Sequence, residues 1–129
     1  VLLHHVFQSA PTCWDREQTG ETLTSEALTA PPPDDIKASD DIADFGETVR
    51  TRFRDWWRDV EGQDFSGEVP TYFGGTSRHE MMERTVWHST QHTRQIASLL
   101  EQAGVSADNP LTPDHIRGLP LTETVWDEA

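Results

Sequence analysis

The chain has 129 residues, 34% hydrophobic and 26% charged, which suits one globular domain with a single core and excludes two. Ten Lys and Arg against 23 Asp and Glu give a net charge of −13, which disfavours phosphate backbones and anionic lipid surfaces, so neither a nucleic-acid nor a membrane partner is expected. The single cysteine, Cys13, permits no internal disulfide and no Cys-rich zinc site, and with no visible secretory leader it points to a cytoplasmic protein in which His and carboxylate would hold any metal.

A first helix is expected from about Leu2 to Glu17, with Leu3, Val6, Phe7, Ala10, Cys13 and Trp14 on one stripe. Pro11 should break or kink it, because proline lacks the backbone donor and crowds the preceding turn. Residues 21–38 contain Pro31-Pro32-Pro33 and look like an extended linker on the outside of the domain. Ser39 is an N-cap candidate, followed by Asp40 and Asp41. Ile42, Phe45, Val49, Phe53, Trp56 and Val60 then recur at steps of three or four, predicting an amphipathic helix that ends near Gly62. Its Arg50, Arg52, Arg54 and Arg58 alternate with Asp55 and Asp59 and form no basic patch.

Residues 63–75, with Gly67, Pro70, Gly74 and Gly75, are expected to be a loop. Thr76 or Ser77 caps a third long helix that stops at Gly104. Residues 105–129 carry Pro110, Pro113, Gly118 and Pro120 and should be irregular. There is no strong strand pattern, so the expected fold class is all-α, a single helical domain over 1–129. Three long helices do not close a four-helix bundle. A fourth would come from upstream of Val1 or from a second protomer, which makes a homodimer an expectation.

On the third helix, Met81, Thr85, His88, His92, Gln95 and Leu99 share a stripe. His88 and His92 are four apart and stack on one face, a spacing that can grip one transition ion. Two histidines at this spacing also occur as ordinary hydrogen-bonded core residues. A third imidazole is available at His4 or His5, which flank the first apolar stripe, and periodicity does not choose between them. Zinc, nickel or iron(II) would accept such a donor set. Gln95 is a candidate to orient water or a ligand. Arg94, off the stripe, is expected to be solvated, and Cys13 to be a small buried residue. Glu80 is the nearest carboxylate candidate, while His79 and His115 are expected on the surface.

Two segments carry a family resemblance. Leu2-Leu3-His4-His5-Val6 resembles the "L-L-x-H-hydrophobic" segment of the DinB-like (YfiT-like) metalloproteins, and His88 through His92 to Gln95-Ile96 resembles their "H-x-x-x-H-x-x-Q-hydrophobic" helix. Order and separation agree over about residues 2–103. The resemblance implies a four-helix bundle whose first helix is absent here, and a three-histidine site, often for zinc or nickel. It selects His5, with His88 and His92, as the ligands. Family activities include thiol-dependent S-transferases and a maleylpyruvate isomerase that use low-molecular-weight thiols.

The expected function is therefore metal-dependent S-transfer or isomerisation, in which the site activates a low-molecular-weight thiol or water toward a small-molecule substrate and Gln95 assists. An electrophilic co-substrate is expected in a groove lined by Trp and Phe. The alternative is a non-catalytic metal- or small-molecule-binding helical module, including a structural dimer formed through Trp56 and Trp57. The tail from Gly118 to Asp127 is expected across the mouth of the bundle with Trp126 as its anchor.

Overall fold

The computed structural model describes residues 2–126, so Val1 and the end of the expected tail, including Asp127, lie outside it. The described residues form four helices, α1 (Leu2–Thr19), α2 (Ser25–Leu28), α3 (Ser39–Val60) and α4 (Arg78–Gln102), and an antiparallel hairpin, β1 (Glu68–Thr71) and β2 (Gly74–Ser77), inserted in the chain between α3 and α4. None of these helices is long and apolar enough to cross a membrane.

The helix α1 continues through Pro11, which is buried. The Thr12 hydroxyl donates to the Gln8 carbonyl at 2.9 Å, beside the bond that proline cannot make. The N-cap of α3 is Ala38 rather than Ser39; the Asp41 carboxylate accepts from the Lys37 and Ala38 amides at 2.9 and 2.7 Å. Ser77 caps α4, and Gly104, at φ 74°, provides the left-handed stop.

The expectation of an all-α bundle is corrected by the hairpin: the fold is mixed, though mostly helical. Val69 pairs with Thr76 and Pro70 with Gly75, across a turn that ends on Gly74 at φ 114°. Such short, Gly- and Pro-bearing strands carry little β-propensity and gain their order from tertiary packing. The supposed linker contributes directly. Leu23 donates its amide to the Pro70 carbonyl at 2.9 Å and accepts from the Tyr72 amide at 2.8 Å, forming a parallel bridge.

Two apolar clusters form the core. Leu23, Val69 and Met81, all essentially inaccessible, join Cys13 between α1, the hairpin and α4. Ala10, Trp14 and Val49 pack with Phe7, Phe45, Phe53 and Met82 between α1, α3 and α4. Each large side chain so buried contributes about 1.5–3 kcal/mol. Both clusters lean on α1 and α4, and that packing brings the histidines of the two helices together.

Candidate metal centre

His5 of α1 faces His88 and His92 of α4. The Nε2 atoms of His5 and His88 are 3.2 Å apart, and those of His88 and His92 are 3.1 Å apart. One ligating nitrogen from each lies within 4.8 Å of the others. Donors at the usual metal–nitrogen distance of about 2.0–2.1 Å stand about 2.8–3.4 Å apart around a six- or four-coordinate ion. The three histidines can therefore hold a metal ion. Among the described residues, no carboxylate or thiol completes the set.

The tautomers follow from the partners of the other ring nitrogens. His92 Nδ1 lies 2.7 Å from Gln95 Oε1, an acceptor only, so Nδ1 carries the proton. The Gln95 amide is oriented by its own donation to the Val125 carbonyl at 3.3 Å. His88 Nδ1 lies 3.1 Å from Ser9 Oγ, which also reaches the Val6 carbonyl at 3.3 Å; in the tautomer that binds metal, the hydroxyl donates to Val6, His88 Nδ1 donates to Ser9, and Nε2 is bare. In that tautomer both rings turn Nε2 lone pairs toward each other at 3.1 Å. A cation between them relieves that repulsion, which is why the donor set fits a metal.

Protonation is suppressed where metal would bind. Burial, then the charges of His92, His5 and Arg84, pushes the His88 pKa down to about 4. Burial lowers that of His5 too, with the charge of His92 adding to it and a hydrogen bond to the Leu28 backbone opposing it. Neutral imidazole is the ligand form.

The choice that periodicity left open is visible in space: His4 is buried and stacks on Phe45 with ring centroids 5.1 Å apart, away from the cluster. Gln95 has both polar atoms engaged, by His92 and by Val125, so it holds a ring in place. Glu80 is used in a capping box, accepting from the Ser77 amide and hydroxyl at 2.9 Å. His79 pairs with Glu83 at the surface, and His115 is exposed. Cys13 is buried as expected, and burial raises its thiol pKa against the weaker effects of Thr85 and Arg84.

Three residues have roles that the sequence pattern alone does not show. Ser9 lies four residues after His5 and so on the same helix face, the one local signal for its place beside His88. Arg94, expected to be solvated, donates to the Thr122 carbonyl at 2.9 Å and fastens the tail. Gln91, buried, donates to the Val125 carbonyl at 2.8 Å. The described part of the tail lies along α4, held by donors from Trp87, Gln91 and Arg94 to its carbonyls; Trp126, expected as the anchor, is 42% exposed and does not hold it.

The expected aromatic groove exists on another side. A cavity of about 620 Å³ between α1, α3 and α4 is lined by Phe7, Trp14 and Phe53 but by none of the three histidines. Trp56 is buried in its ladder of rings, stacked on Trp14, and only Trp57 of that pair faces outward. No known protein family, curated protein or solved structure matches this chain.

Proposed function

We propose that this chain is a metal-dependent enzyme of the thiol S-transferase type, with His5, His88 and His92 as ligands to one divalent transition ion, zinc or nickel before iron. The observation behind this reading is the convergence of the three Nε2 atoms, at 3.1 and 3.2 Å about His88, with Gln95 accepting from His92 Nδ1 on the far side of its ring and Ser9 beside His88 Nδ1. When bound, such an ion supplies Lewis acidity that lowers the pKa of a thiol or a water at its open positions. The resemblance of the His5 and His88–Gln95 segments to the DinB-like metalloproteins supports the same reading.

The chain's own residues have definite tasks in it. Ser9 and Gln95 hold two rings with their lone pairs inward. Burial lowers the pKa of His88 and of His5 and so favours their neutral, ligating form. In the transfer, the thiol proton leaves to solvent and sulfur forms a bond to an electrophilic carbon. The leaving group departs with its bonding pair and is protonated in turn.

One observation favours a second reading, a non-catalytic metal-binding module. Among the described residues, no carboxylate joins the cluster to act as a general base.

Elemental mass spectrometry of untagged protein beside His88→Ala tests the site. Roughly stoichiometric zinc or nickel, lost in the variant with helicity kept, supports the assignment. Full metal in both forms refutes the ligand set, and none in either refutes the metal reading. With metal established, turnover of a thiol and an electrophile separates the enzyme from the module.

A further inference from the structure

A pocket of about 150 Å³ opens beside the histidines, distinct from the aromatic groove. His5 and His88 form one side, the buried Cys13 and Thr85 lie deeper, and the exposed Tyr72 and Arg84 stand at the outer edge. No Asp or Glu lines it, in a chain that carries 23 of them. Arg16, Arg52, Arg78 and Arg94 are all engaged by carboxylates or carbonyls. Arg84 has no such partner among the described residues; its guanidinium lies 4.5 Å above the Phe73 ring, which supports the planar group from one face and leaves its fork unused. Its charge is felt at both Cys13 and His88, so it acts across the pocket.

A cationic, acid-free recess beside a metal-ligating cluster selects an anion. Its volume equals about five water molecules, far below that of a drug-sized site. We propose that the pocket binds a short-chain mercaptocarboxylate, with its carboxylate on the Arg84 guanidinium and its thiol toward His5 and His88. The inference rests on the metal reading above and names the substrate class of that site. Arg84 is its specificity-determining residue, through paired N–H donors that match a carboxylate.

The test uses the cobalt(II)-loaded protein, in which a d–d spectrum reports the metal and sulfur-to-cobalt charge-transfer absorption reports the thiol. Mercaptoacetate and mercaptoacetamide, equal in size and different in charge, are titrated into wild type, Arg84→Gln and Arg84→Lys. Wild type should bind the acid about tenfold more tightly than the amide. Arg84→Gln should erase that preference, Arg84→Lys should restore part of it, and amide affinity should be equal in all three. A preference that survives Arg84→Gln means that the carboxylate goes elsewhere and overturns the assignment. A normal d–d spectrum with no preference in wild type overturns this inference alone. Absence of a d–d spectrum overturns the metal reading and this one with it.

Discussion

Gln95 illustrates how one side chain can serve a site without facing its open side. Its carbonyl accepts a hydrogen bond from His92 Nδ1 at 2.7 Å, and its amide donates to the tail at the Val125 carbonyl. Removing such a partner of a ligating histidine typically costs 10–100-fold in metal affinity. Gln95→Ala should therefore weaken zinc binding by about that factor in a chelator competition, with helicity unchanged. An unaltered affinity would mean that packing alone holds the His92 ring. The spacing of His88, His92 and Gln95 was legible in the sequence because a helix repeats every 3.6 residues. The partner of Gln95 was not, since Val125 is 30 residues away and contributes only a carbonyl.

At the scale of elements, caps and ties decide where helices begin and how they meet. Glu80 accepts from the Ser77 amide and hydroxyl, which holds its carboxyl below the usual glutamate range. The sign follows from linkage: a depressed folded pKa contributes stability above the ordinary glutamate value, lost as pH falls through the folded one. Thermal melts of wild type and Glu80→Gln should differ at neutral pH, with wild type higher. They should converge at a pH below the glutamate range, and a constant gap would show that charge plays no part. Arg78, at the first turn of α4, binds the Glu17 carboxylate of α1 and the Asp64 carbonyl and covers the Phe65 ring. The Glu17 side chain is only 3% exposed. Arg78→Ala strands that carboxylate, so urea unfolding should reveal a loss of about 3–5 kcal/mol. A loss below about 1 kcal/mol would class the tie with surface pairs. The capping box is a local S-x-x-E signal and could be read in one pass. The Arg78–Glu17 tie spans 61 residues and could not.

For the whole molecule, the charge balance has consequences of its own. A net charge of −13 on 129 residues makes self-repulsion a general destabilising term. Added sodium chloride, from low ionic strength to about 0.15 M, shortens the screening length to about 8 Å and should raise the melting temperature. A flat or falling curve would show that surface ion pairs, which salt weakens, outweigh the repulsion.

The sequence by itself determined the three long helices, their approximate ends and the shared face of His88 and His92, because periodicity and caps are local properties of the chain. It left His4 and His5 level, since neighbours on one helix differ by about 100° and only the packing partner tells which is inward. The tertiary structure decided that His4 goes to Phe45 and His5 to the cluster. It also decided the hairpin, whose strands are ordered by Leu23 from far upstream and by burial of Val69, and with it the change from an all-α expectation to a mixed fold. The same holds for the recess at Arg84, where α1, α2, the hairpin turn and α4 bring together residues as far apart as His5 and His88. Contacts across such separations are set by how apolar faces pack, and no window of sequence contains both partners.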